Sequence, residues 1–210
     1  FRYLHYFWLL LYHGWQSDII YAMGPVNAGF PALLTVRVLN FFSGAAHSKK
    51  KFVVKVVGDY AWEQGQVGGI VLDSIDDFQK KQFTGKIGWL QKVEAKVVKN
   101  ADCVIVPSKY LANIVRGWGA ENEKIKVVLK SVKFKDVKSE QKPADEKWIV
   151  SAGRLVPWKG MNTLIEIMPA IVKEINDKDA IILMLLEDTY HEKLNPFDEV
   201  LLIVRLIKDF

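Results

Sequence analysis

Phe52-Val53-Val54-Lys55-Val56-Val57, followed by Gly58-Asp59, is a β-branched run closed by turn residues. It is too short and too evenly apolar for a surface helix, and predicts a buried strand of a parallel sheet. The pattern returns on both sides. Asp18–Tyr21, Asp102–Pro107 and Ile125–Leu129 predict further strands, as do Trp148–Ala152 and Ala180–Leu186. Helical spacing lies between them, over Pro31–Phe42, Phe78–Lys99 and Asn162–Asn176. In the second of these Leu90, Val93, Val97 and Val98 share a face. A shorter helix starts at the N-cap Ser108, buries Leu111, Ile114 and Val115, and closes at Gly117 or Gly119. Strands alternating with helices predict an α/β chain of βαβ units, with right-handed crossovers placing helices on both faces. Ligands of such sheets bind at the carboxyl ends of the strands, so the residues after each strand are the candidates.

Lys133–Glu146 is polar and charged, with Pro143, and reads as a linker. It predicts a first unit over residues 1–138, a linker over 139–146 and a second unit over 147–210. The first sixteen residues are apolar nearly all round and fit a buried helix or one lying on a membrane surface; the absence of a basic polar face favours the buried helix. Gly65–Gly69 reads as a flexible loop and Ser43–Lys51 as a polar one. Pro169 is expected to kink its helix. Beyond Glu187 the pattern is lost, and Val200–Ile207 fits either strand or helix.

Composition excludes several classes. Half of the 210 residues are hydrophobic, enough for a sizeable core and too many for a disordered tail. The lone Cys103 excludes a disulfide framework and a Cys-rich zinc module, and suits a reducing compartment. The net charge of +5 rests on lysine, since 24 of the 29 cations are Lys. Lysines spread along a chain form a solvated surface more readily than a nucleic-acid reader, which favours the Arg fork, so no nucleic-acid partner is expected. His5, His13, His47 and His191 show no metal-ligand spacing, and no metal is expected. No apolar run reaches the roughly 18 residues that span a bilayer.

Gly153-Arg154-Leu155-Val156-Pro157-Trp158-Lys159-Gly160 is the strongest chemical signal. It follows a predicted strand and precedes a predicted helix. Glycine lets backbone approach a ligand. Arg154 and Lys159 stand beside a helix N-terminus with unpaired N–H groups, a combination suited to a diphosphate. The same residues also fit a surface turn with two solvated cations.

This segment resembles the donor-phosphate loop of family 4 glycosyltransferases, which have the GT-B fold. Three stretches agree in order: Val54–Glu63 around Gly58-Asp59, Ala101–Ser108, and Trp118-Gly119 with Lys124–Val128. The resemblance runs from about Asp18 to Leu186. It implies two Rossmann-like domains with parallel sheets, the second incomplete. It also implies a retaining enzyme that moves a sugar from a nucleotide-diphosphate sugar to a glycan or lipid-linked acceptor, without a divalent metal or other cofactor. Arg154 and Lys159 would be catalytic, neutralising the leaving diphosphate. Gly153 and Ser108 would join them in holding it, while Asp59 and Glu63 would face the acceptor. The family further implies a cytoplasmic location, with peripheral contact at the inner face of the membrane.

The departures are specific. No His stands near Gly58-Asp59, and Lys130-Ser131 replaces an Asn-Gly. Glu187-Asp188-Thr189-Tyr190 stands where relatives have a Gly-rich turn. Glu166 and Glu174 reproduce the spacing of the family's paired glutamates but precede no Gly-rich segment, so they read as solvated. The pattern is that of a chain truncated at both ends, inactive in isolation. The competing reading is a non-catalytic remnant of this fold that acts as a binding or interaction protein.

Overall fold

A computed structural model of the chain describes residues 2–42, 49–131, 147–153, 156–174, 180–186 and 200–204. The chain divides into two compact units, Phe1–Lys133 and Phe134–Phe210. The segment 139–146 lies outside the described residues.

The first unit runs α1 (Arg2–Gly14), β1 (Ile19–Met23), α2 (Gly29–Phe42), β2 (Lys51–Lys55), α3 (Tyr60–Val67), α4 (Ile75–Gln79), α5 (Gly85–Lys99), β3 (Cys103–Val106), α6 (Lys109–Gly117) and β4 (Ile125–Val127). Its four described strands are all parallel, in the order β1-β2-β3-β4. Ile20 pairs with Phe52, Val54 with Val104 and Val106 with Val127, so these residues share one face. That face is the core. Ile20, Ala22, Phe52, Val54, Val104 and Val106 are buried beneath Leu33, Val36 and Leu39 of α2, Leu90, Val93, Val97 and Val98 of α5, and Leu111, Ile114 and Val115 of α6.

Among the described residues no helix of this unit covers the opposite face, contrary to the expectation of helices on both sides. Ile19, Tyr21 and Met23 are exposed on it, and Val53, Cys103 and Ile105 are only partly covered. The strand order explains this. It advances in one direction and never reverses, so crossovers of one hand stack their helices on one face.

Three other expectations are corrected. α1 is a helix but not a buried one. Phe7, Leu10, Leu11 and Gly14 turn inward, whereas Leu4, Trp8, Leu9 and Tyr12 are exposed. Apolar residues on every side hid the true period. Gly65 lies within α3 rather than in a loop, since a Cβ there would collide with Val71. The helix expected over Phe78–Lys99 is two helices, broken before Gly85, whose φ of +61° suits glycine.

In the second unit, β5 (Lys147–Gly153) leads through a one-turn 3-10 helix (Pro157–Lys159) to α7 (Met161–Glu174), then to β6 (Ala180–Leu186) and β7 (Val200–Val204). β5 and β6 are parallel, but β7 runs antiparallel to β6, which departs from the all-parallel expectation. Met161 and Met168, two turns apart, are buried on one face of α7.

Candidate functional site

The carboxyl ends of β1 and β2 form a small cleft. β1 ends in Gly24-Pro25, where Gly24 has a φ of +93° and its N–H donates to the Lys55 carbonyl at 2.9 Å. This bond ties the two strand ends together. After β2 the backbone turns at Gly58, and Asp59 caps α3. The cleft has a volume of about 180 Å3 and is lined by Met23, Pro25, Asn27, Gly58, Tyr60 and Glu63, among others. The Glu63 carboxylate folds back over Gly58, to within 2.6 Å of where a Cβ would sit. Glu63 therefore lies on the strand-end cleft, half-buried.

Asp59 does not face it. Its exposure is 1%, and both carboxylate oxygens are occupied within the fold. The Trp62 N–H donates to Oδ1 at 2.7 Å, and Gln79 Nε2 donates to Oδ2 at 2.7 Å. Gln79 in turn accepts from the indole N–H of Trp118 at 2.9 Å. Asp59 thus joins α3, α4 and the end of α6, where it was expected to meet an acceptor.

A second carboxyl lies behind it. Glu94 of α5 is also 1% exposed and accepts from the Tyr60 N–H at 2.8 Å. Burial raises its pKa well above the usual glutamate value, and the charge of Asp59 adds to the rise. Burial raises Asp59 too, opposed by its hydrogen bonds from Trp62 and Gln79. Burial and the mutual repulsion of the two carboxyls favour the protonated form of Glu94. Sequence reading passed over Glu94. Its one signal was position, four residues after Leu90 on the apolar stripe of α5.

A neighbouring cleft opens between α2, α3 and α5. Its volume is about 380 Å3, and it shares Val26, Asn27 and Tyr60 with the strand-end cleft. Phe30 and Trp89 meet there edge to face, with ring centroids 6.4 Å apart. A third cleft, of about 430 Å3, lies at the opposite end of β2. Its polar groups are committed to the fold: Arg37 donates to Asn100, and Asp102 accepts from the Phe52 N–H.

Ser108 follows β3 and caps α6, its Oγ accepting from the Leu111 N–H at 3.1 Å. In the second unit Gly153 is the last residue of β5, and Arg154 lies outside the described residues. Lys159 is exposed and ends the short 3-10 helix. Gly160 follows with a φ of +66°, and its carbonyl accepts from the Leu164 N–H at 2.9 Å to start α7. Lys159 therefore stands two residues before Met161, the first residue of a 14-residue helix. Glu166 and Glu174 are exposed on that helix, as expected of solvated residues. Among the described residues no cluster of His, Cys, Asp and Glu is placed to hold a metal ion, and no helix is long and apolar enough to cross a membrane.

No protein-family model and no curated protein matches the sequence. Solved structures do. TarM superposes with a TM-score of 0.52 over 87% of this chain, at 17% identity. The fold is GT-B-like. A Listeria monocytogenes protein described as a UDP-N-acetylglucosamine 2-epimerase gives a TM-score of 0.47 over 90% of the chain, at 15% identity. The chain spans 31% of the length of TarM and 44% of the length of the second protein.

Proposed function

We propose that this chain is part of a glycosyltransferase that uses a nucleotide-diphosphate sugar. The reading assigns the donor to the second unit and the acceptor to the first. One observation carries the donor half: β5 ends at Gly153 and is followed by a turn that sets Lys159 and Gly160 directly before α7. Unpaired N–H groups at a helix start attract anions, and a fixed ammonium beside them adds a full charge. Arg154, one residue after β5, would supply a bidentate contact to the same diphosphate. As charge builds on the leaving diphosphate, the two cations stabilise it where other enzymes use a metal. The GT-B-like fold supports the reading, since it sets two Rossmann-like units in one chain.

The acceptor half falls to the strand-end cleft of the first unit, with Glu63 on its wall. Its substrate would be a glycan or lipid-linked acceptor. Ser108 retains its hydroxyl proton while it caps α6, and would donate it to a substrate oxygen.

Calorimetric titration of the chain with UDP and with GDP tests the donor half. At least one is expected to bind, and Lys159→Ala and Arg154→Ala are each expected to weaken it. The loss should be roughly 1.5–3 kcal/mol, the contribution of a charge-assisted hydrogen bond. Equal affinity in wild type and both variants would remove the assigned roles. Nucleotide binding with no sugar transfer by the natural gene product would favour the non-catalytic reading.

A further inference from the structure

We propose that the cleft between α2, α3 and α5, walled by Trp89 and Phe30 and rimmed by Tyr60, Gln64 and Lys86, binds a pyranose ring. Its volume of about 380 Å3 lies in the range of small-molecule sites, roughly 300–1,000 Å3. Trp89 is 53% exposed in this wall although it belongs to a helix with a full apolar stripe elsewhere. Phe30 meets it edge to face, which fixes the indole plane.

The polar rim narrows the choice of ligand. Among the described residues the Gln64 amide and the Tyr60 hydroxyl have no side-chain hydrogen-bond partner, and Lys86 has no carboxylate partner. These groups come from two elements, α3 and α5, and line the same cleft as the aromatic pair. A pyranose matches that arrangement. Its axial C–H groups are polarised positive and sit on the negative face of an indole, while hydroxyls radiate around its edge. A nucleobase presents polar atoms along part of its edge and would leave some of the rim unpaired. An acyl chain would desolvate Lys86 without compensation. The cation also favours a ring with an acidic substituent.

The site deepens the acceptor half of the reading above and rests on it for its role. Val26, Asn27 and Tyr60 line both this cleft and the strand-end cleft, so a saccharide held here would continue into the other.

Saturation-transfer NMR on the full chain, without nucleotide, tests the proposal. The probes are methyl β-D-glucopyranoside, N-acetyl-D-glucosamine and D-glucuronate, with uridine as comparison. At least one sugar is expected to receive saturation. Trp89→Ala should weaken it about ten-fold, whereas Trp89→Tyr should stay within about two-fold. Lys86→Gln should affect D-glucuronate more than the neutral sugars. Trp89 is half exposed, so the fold should survive, with circular dichroism as the check. Absence of transfer to all three sugars, equal transfer to wild type and Trp89→Ala, or uridine binding through Trp89 would each overturn the proposal. A chain that binds UDP but no sugar overturns this cleft alone. A chain that binds sugar through Trp89 but no nucleotide overturns the donor assignment alone.

Discussion

Glu94 sits in the core of the first unit against Asp59, and its protonation couples folding to pH. Its folded-state pKa lies above the unfolded one. The stability this contributes is full below the ordinary glutamate value of 4.5 and is lost as pH rises through the raised value. Asp77 works the other way. Its pKa is lowered, first by the hydrogen bond from Lys80, so its contribution is lost only as pH falls below 3.8. The two windows do not overlap. Thermal melts should therefore show a midpoint that declines as pH climbs above 4.5. Glu94→Gln should flatten that decline and raise the midpoint at neutral pH, because the amide still accepts from Tyr60 and carries no charge. An unchanged slope in the variant would exclude the pair as its source. At Gly160 the constraint is steric instead. Its φ of +66° strains any residue with a Cβ, so Gly160→Ala should cost about 1 kcal/mol, measurable by denaturant titration.

Elements differ in how plainly the sequence wrote them. The strands at Phe52–Val57, Asp102–Pro107 and Ala180–Leu186 were legible because β-branched and branched aliphatic runs need no partner to be recognised. The Ser108 cap was legible for the same reason: its hydrogen bond to Leu111 is local. Ser108→Ala should lower stability by about 1 kcal/mol, read from the same titrations. What failed to show was set by distant contacts. Gly65 reads as a loop until Val71 is seen against it, and the direction of β7 depends on a pairing that no local pattern records. The candidate site followed the same division. The turn before α7 is drawn from one stretch of sequence, of which the structure describes Val156–Gly160, whereas the aromatic cleft assembles residues from three elements. In α7 itself, Pro169 lacks the N–H that would bond the Ile165 carbonyl. Pro169→Ala should stabilise the helix by up to about 3 kcal/mol, seen as slower amide hydrogen exchange across 161–174.

At the scale of the whole molecule the sheet of the first unit is the governing feature. Ile19 pairs with Lys51, 32 residues on, and Val53 with Cys103, 50 residues on, so no ladder in this sheet closes locally. The shortest closure joins Val104 to Ile125 across α6. Loop-closure entropy favours that pair as the first to form. Stopped-flow refolding should then be slowed more by Val115→Ala, on the buried face of α6, than by Ile20→Val in β1, which should chiefly speed unfolding. The ordering of strands has a further meaning during synthesis. Across the described strands, position in the sheet repeats position along the chain, so β2, β3 and β4 each leave the ribosome after a strand with which they pair. None of these three ladders has to reopen to admit a later one of the four, and the described sheet can grow in time as it is laid out in space.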